Sequence, residues 1–193
     1  MFRYIIAGLM VFGMADAASA GPFGIEQGMK KEQLNNLKET KQTFQFSISP
    51  PRPHSRFNKY VVRIHPQTGV CVLIAGGVTI PTSVYGNELK KEFESIREQL
   101  SSIYGRAETI DYLESGSIWD EPQDWTTGLL KKERGLQAAW DGESNANLKD
   151  GIVEILLTAV ASRTETGWLQ LQYRFANNKQ CENLINKDSA KSF

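Results

Sequence analysis

The clearest strand pattern in the chain lies near its C-terminus. Apolar and polar side chains alternate there in the order Leu169, Gln170, Leu171, Gln172, Tyr173, Arg174, Phe175. A period of two places the apolar set on one face of a strand and the polar set on the other. With an apolar run at residues 152–162 and a turn at residues 164–167, this pattern predicts an antiparallel hairpin with one packed face and one wet face.

Shorter patterns of the same kind predict further strands. Residues 43–48 alternate in the same way, and residues 60–65 and 70–75 flank a turn with the sequence Pro-Gln-Thr-Gly. A glycine at the end of such a turn favours a hairpin. Residues 135–140 are a further strand candidate.

Three segments have helical spacing. The strongest covers residues 87–104, where one continuous apolar stripe is formed by Leu89, Phe93, Ile96, Leu100 and Ile103. Weaker patterns predict helices over residues 29–41 and 122–132. Gly105 directly follows the strongest helix and can end it in a left-handed turn.

The order of these elements predicts an α+β fold. Helix, three strands, helices and three strands follow one another, so we expect helices packed on one face of an antiparallel sheet. The same order favours two αβββ-like units. We expect residues 21–193 to form one domain, because a chain of 193 residues suits a single core.

Residues 1–20 are typical of a secretory signal peptide. Arg3 precedes an apolar run, and Ala18-Ser19-Ala20 provides small residues for cleavage between Ala20 and Gly21. The apolar run, residues 4–14, is shorter than the roughly 20 residues of a membrane-spanning helix. The alternative is a buried N-terminal helix. We expect a periplasmic or secreted protein with no membrane span.

If the protein is exported, its two cysteines, Cys71 and Cys181, mature in an oxidising compartment. In an oxidising compartment two thiols usually form a disulfide. The bond would tie the C-terminal tail to the strand at residues 70–75, and closing a loop of about 110 residues contributes roughly 4–5 kcal/mol in the chain-entropy model. The alternatives are two buried free thiols or a catalytic cysteine.

Residues 23–34, with the sequence Phe-Gly-Ile-Glu-Gln-Gly-Met-Lys-Lys-Glu-Gln-Leu, resemble an opening motif of small exported bacterial proteins. The resemblance is to β-lactamase-inhibitor-protein-like proteins and to small lipoproteins of the outer-membrane barrel-assembly machinery. Lys30 stands where that motif has Thr or Ser, and no lipid-bearing Cys follows the signal segment. The resemblance implies helices against an antiparallel sheet, a helix after Gly28, and noncatalytic roles in protein binding or envelope assembly.

The composition excludes several functions. The 22 Lys and Arg residues equal the 22 Asp and Glu residues, so the chain lacks the cationic excess of a nucleic-acid binder. The sequence contains no phosphate-binding glycine loop, no His-Glu-x-x-His, no Cys-x-x-Cys and no Gly-x-Ser-x-Gly motif. We therefore expect no cofactor and no nucleic-acid partner.

His54 and His65 are the two histidines, so a Ser or Cys nucleophile would need one of them as its base. The alternatives are histidines without a role, or a metal site shared with carboxylates. Residues 141–147 place oxygen atoms at alternate positions, as a calcium loop does, but Ala146 and Ile152 stand where that loop needs Gly and Glu. We expect a solvated loop here and no metal site.

Charge is unevenly distributed, and residues 108–125 contain six acidic residues and no basic one. Acidic side chains beside large aromatic ones are typical of a surface that binds a protein or a cation. We predict a binding site formed by Tyr112, Trp119, Asp120 and Trp125, with the two tryptophans as apolar anchors. The alternative is that the tryptophans pack under the helices and the acids face water.

The leading hypothesis is an exported, soluble, noncatalytic protein that binds another envelope protein. A second hypothesis is a periplasmic hydrolase-like enzyme that uses His54 or His65. A third is a carrier that holds a small apolar ligand between the helices and the sheet. The sequence does not indicate an oligomeric state.

Overall fold

The computed structural model describes residues 21–144 and 146–191, so the predicted signal peptide lies outside the described residues. The strands are β1 Lys38–Glu39, β2 Gln45–Ser47, β3 Phe57–His65, β4 Gly69–Gly77, β5 Ile80–Pro81, β6 Glu108–Leu113, β7 Arg134–Trp140, β8 Ile152–Arg163 and β9 Thr166–Phe175. The helices are α1 Asn87–Tyr104, α2 Trp125–Lys131 and α3 Asn178–Ala190. Single turns of 3-10 helix occupy Pro22–Gly24, Lys31–Gln33 and Pro122–Asp124.

The strands of the described residues form one antiparallel sheet. Its order is β1-β2-β3-β4-β9-β8-β7-β6, and β5 pairs with the start of β9. Two three-strand meanders, β2–β4 and β7–β9, meet where β4 pairs with β9. The predicted α+β class, with helices packed against an antiparallel sheet, is confirmed. The second meander is preceded by α1 and α2, whereas only single turns of 3-10 helix precede the first.

The main core lies between the sheet and the helices α1 and α2. The predicted inward side chains of β9 are buried in it, as are the inward side chains of the neighbouring strands β4, β7 and β8. Both predicted hairpins are present, as β3–β4 and β8–β9. Alternation therefore assigned the faces of these strands correctly.

Helix α1 has the predicted bounds, and its stripe is buried as far as Leu100. Phe93 is fully buried, which contributes about 1.5–3 kcal/mol relative to an exposed side chain. The prediction for Ile103 is wrong, because its side chain is 52% exposed and Tyr104 is buried in its place. The step of four from Leu100 continues the buried face, and the step of three leads out of it.

Helix α3 was not predicted, and it lies over the opposite face of the sheet. Val72 and Ile74 alternate with the core residues of β4, so they face away from α1 and contact the cluster formed by α3. The predicted disulfide between Cys71 and Cys181 joins β4 to α3, and both cysteines are fully buried. Arg63 of β3 also pairs with a carboxylate of α3, at 3.2 Å. The C-terminal tail is thus tied to the sheet as a helix.

The predicted helix over residues 29–41 is wrong. After the single turn at Lys31–Gln33, Leu34 has an extended backbone with ψ 136°, and Asn36 adopts a positive φ of 54°. Leu34 and Leu37 still pack against the core, but from an extended chain that ends in β1. Two leucines give too narrow an apolar stripe to hold a longer helix against a sheet.

Candidate functional site

Strand β6 forms one end of the sheet. It pairs with β7 along its whole length, from Glu108 opposite Ala139 to Leu113 opposite Arg134. Among residues 21–144 and 146–191, no strand pairs with its outer side. The first five residues of β6 are exposed. Its outward backbone groups are therefore available to another strand.

Tyr112 lies on β6 as part of this edge. Its ring covers Gly135 of β7 so closely that a β-carbon at Gly135 would fall 2.3 Å from the ring. The side chain remains 42% exposed, and its neighbour on the same face, Ile110, is 46% exposed. Both therefore present apolar surface on the side of the sheet that faces away from α1.

Trp119 and Asp120 lie in the loop that follows β6. The backbone N–H of Trp119 donates to Ser117 Oγ, and that hydroxyl donates to a Glu133 carboxylate oxygen at 2.7 Å. Trp119 is half-buried beside α2, Asp120 is exposed, and Ile118 between Ser117 and Trp119 is 74% exposed. The loop is thus anchored while it displays an apolar side chain to solvent.

Trp125 is placed apart from the other predicted binding residues. It is 4% exposed, its ring packs against Gly86, and the ammonium group of Lys90 lies 4.2 Å from the ring centroid. Burial is the main cause that lowers the pKa of Lys90. Trp125 therefore belongs to the core below α2, which was the alternative weighed for the tryptophans, and it presents no ring face to a partner.

The acidic charge of the β6 edge is partly offset by a basic residue of the neighbouring strand β7. Asp111 accepts a hydrogen bond from the Arg134 guanidinium at 3.2 Å, so one acid of the segment is paired. The side chains of Glu108, Glu114 and Asp120 are exposed. The edge of the sheet keeps an acidic character after this pairing.

The two histidines are held in different ways. His65 is 3% exposed, its Nδ1 accepts the backbone N–H of Gln67, and its Nε2 contacts Asp188 at 3.0 Å. Both of its ring nitrogens are therefore engaged within the protein, which leaves none for a substrate. His54 accepts the backbone N–H of Arg56 at Nδ1, and its ring borders a cavity.

This cavity has a volume of about 310 Å³ and lies between α1, β9 and the segment at residues 21–23. Its apolar wall includes side chains from all three, namely Phe23, Ile96, Leu100 and Leu171. Tyr104 and Tyr173 also line it, and their hydroxyl groups interact with each other. Burial is the main cause that raises the pKa of both tyrosines, so both phenols stay protonated at neutral pH.

Of the residues that line the cavity, the sequence singled out His54, and it did not indicate the tyrosine pair, although a ligand between the helices and the sheet was one of the hypotheses. Tyr104 and Tyr173 are 69 positions apart, and each is read from the sequence as an ordinary core aromatic. The available signal was Tyr104 itself, a polar-tipped residue four positions after Leu100 on a buried face.

In the loop at residues 141–147, the carboxylate of Asp141 is engaged by backbone N–H groups of the loop itself. Asp141 Oδ1 accepts the backbone N–H groups of Glu143 and Ser144, at 3.0 and 2.9 Å. Within residues 21–144 and 146–191, no three His, Cys, Asp or Glu side chains are grouped so that they could hold a metal ion.

Comparisons of the chain with protein-family models, with curated proteins and with solved structures gave no match. No helix among the described residues has both the length and the apolar character needed to cross a membrane. The candidate sites therefore stand on their own geometry.

Proposed function

We propose that this protein is an exported, noncatalytic binding protein that captures another envelope protein along strand β6. The observation that carries the proposal is the outer edge of β6, six residues long and unpaired within the described part of the chain. Exposed edges of this length are uncommon unless they are protected, because they pair readily with other strands. A partner strand added here would extend the sheet through backbone hydrogen bonds.

The charges of the edge favour a basic partner over a second copy. Antiparallel pairing of β6 with another β6 would place two acidic edges side by side, each with Glu108 and Asp111, and like charges on adjacent strands are destabilising. A basic extended segment would meet Glu108, Glu114 and Asp120 instead. The far edge of the sheet, β1, is two residues long and offers a much shorter template.

Exposed apolar side chains would supply contact area beside this new strand. Ile110 and Tyr112 lie on the edge itself, and Ile118 and Trp119 lie in the loop that follows it. Aromatic residues at the centre of an interface contribute much of its binding energy. Trp119 is half-buried rather than part of the core, so its loss should affect binding more than folding.

The test places a photo-crosslinking amino acid at Ile110, 46% exposed, and at the control position Val153, 47% exposed, in intact cells. We expect Ile110 to give a discrete adduct with an envelope protein that contains a basic extended segment, and Val153 to give none. Trp119→Ala should reduce this adduct several-fold while lowering the melting temperature only slightly.

Charge variants distinguish specific recognition of a basic strand from nonspecific crosslinking. The pair Glu108→Lys and Glu114→Lys should abolish the adduct, whereas Glu98→Lys on the exposed face of α1 should leave it unchanged. Equal adducts from Ile110 and Val153, or capture that survives both charge reversal and Trp119→Ala, would remove the proposal. A covalent dimer of this chain would show a second copy to be the occupant and would equally overturn it.

A further inference from the structure

The cavity behind α1 has the size and lining of a small-molecule site. Its volume of about 310 Å³ is at the lower end of the range for ligand pockets, which is roughly 300–1,000 Å³. Its apolar wall comes from four separate parts of the chain and is formed by Phe23, Phe57, Ile96, Leu100 and Leu171. Such a space suits a compact apolar body rather than a peptide strand.

Two phenol hydroxyl groups lie inside this wall. The hydroxyl groups of Tyr104 and Tyr173 interact, and both residues are buried, at 6% and 3% exposure. Two neutral phenols hold two protons, and their mutual hydrogen bond uses one of them. The second O–H can be donated to a further acceptor, and a ligand that enters the cavity can supply one.

The mouth of the cavity is cationic. Arg52, Lys149 and Asp150 line it, and these three side chains together carry a net charge of one positive unit. Because His54 Nδ1 accepts the backbone N–H of Arg56, its Nε2 carries the proton and is a donor. Donors and positive charge at the mouth, and a phenol O–H within, both select an oxygen acceptor that bears negative charge.

We infer that the cavity between α1, β9 and residues 21–23 binds a small apolar carboxylic acid. The apolar body lies against Ile96, Leu100 and Leu171, and the carboxylate accepts hydrogen bonds from the tyrosine pair or from His54. None of the residues that line this cavity belongs to β6 or to the loop that follows it, and the site does not depend on partner capture there.

Calorimetric titration of the purified full chain tests the ligand class with two matched pairs of probes. One pair is decanoate and 1-decanol, both below their aggregation limits, and the other is 2-naphthoate and 2-naphthamide. We expect at least one carboxylate to bind at a single site, with its neutral analogue at least tenfold weaker. No binding by either carboxylate, or equal binding by the neutral analogue, would overturn the inference.

Variants at the mouth locate the site. Ile103 lines the cavity but is 52% exposed, so Ile103→Trp can block the entrance without disturbing the core. Ile118→Trp, in the distant loop after β6, is the matched control. We expect the first variant to lose binding and the second to keep it, both with unchanged melting temperatures.

Tyr104→Phe removes one hydroxyl group and keeps the ring. We expect it to weaken the bound carboxylate about tenfold, the effect of one hydrogen bond to a charged group. Its affinity for the neutral analogue should change much less. Full binding by Ile103→Trp, or an equal loss for both probe types in Tyr104→Phe, would place the carboxylate elsewhere and contradict the inference.

Discussion

Gly86 is the residue on which the junction between α1 and α2 depends. It lies directly before α1 with a φ of 72°, and a β-carbon there would fall 2.0 Å from the ring of Trp125. A positive φ and this close approach both require glycine. The buried position of Trp125 therefore follows from the absence of a side chain at Gly86.

Three glycine-to-alanine variants separate these two requirements. Gly86→Ala combines a left-handed backbone with a clash, Gly116→Ala has only the left-handed backbone with a φ of 83°, and Gly142→Ala has neither. Urea denaturation should give losses above about 3 kcal/mol for the first and about 1 kcal/mol for the second. The third should be close to neutral. A small loss for Gly86→Ala would contradict the close packing of Trp125 against Gly86.

At the level of single residues, the sequence predicted a contact correctly where one simple rule was enough to determine it. The pairing of Cys71 with Cys181 needed only two thiols in an oxidising compartment. Prediction failed for Ile103 and Tyr104, two adjacent residues that both fit a helical stripe, because only packing in the folded protein decides which of them is buried. The burial of Trp125 was also beyond a local rule, because it depends on Gly86, which is 39 positions away.

At the scale of elements, the start of α1 is held by a carboxylate. Glu88 Oε2 accepts the backbone N–H of Ser83 at 2.8 Å and the hydroxyl of Thr82 at 3.0 Å. The hydrogen bond from the Ser83 N–H is the largest cause that lowers the pKa of Glu88, followed by its own backbone N–H and the Thr82 hydroxyl. The charged carboxylate thus satisfies one unpaired N–H of the first helical turn, that of Glu88 itself, and ties the turn to two donors of the segment before the helix.

This arrangement predicts a pH-dependent effect of Glu88→Gln. Because the folded-state pKa lies below that of the unfolded chain, the charged form stabilises the fold above the usual glutamate range, and this contribution is lost as pH falls through the folded pKa. Thermal melts should show the variant less stable near pH 7, with the difference shrinking below about pH 4. Glu98→Gln, exposed on the same helix, is the control. A difference that stays constant down to about pH 3 would contradict the account.

The elements that sequence missed are those whose identity depends on neighbours. Strand β6 is polar and mostly exposed, so it has no alternating pattern, and it is a strand because β7 provides its hydrogen bonds. Helix α3 buries only Cys181, so the apolar stripe that marks a helix is almost absent. The wrongly predicted helix at residues 29–41 has the opposite cause, since helical spacing there was not matched by enough apolar surface.

At the scale of the whole molecule, the disulfide ties α3 to one face of the sheet. The main core under α1 and α2 is independent of α3, whose contacts centre on the small cluster around Cys71, Val72 and Cys181. The cross-link closes a sequence separation of 110 residues, so it removes much conformational freedom from the unfolded chain. A disulfide of this kind is typical of proteins that mature in an oxidising compartment, and maturation there is the premise of the proposed envelope function.

Intact mass spectrometry of the endogenous protein, recovered without reductant from separated cell compartments, tests that premise most directly. The account predicts a periplasmic or secreted species that begins at Gly21 and is lighter than the fully reduced chain by the two hydrogens of Cys71 and Cys181. Thiol labelling should leave this species unmodified until it is reduced. A cytosolic species that retains residues 1–20, with both cysteines labelled, would contradict export, the disulfide and the envelope function together.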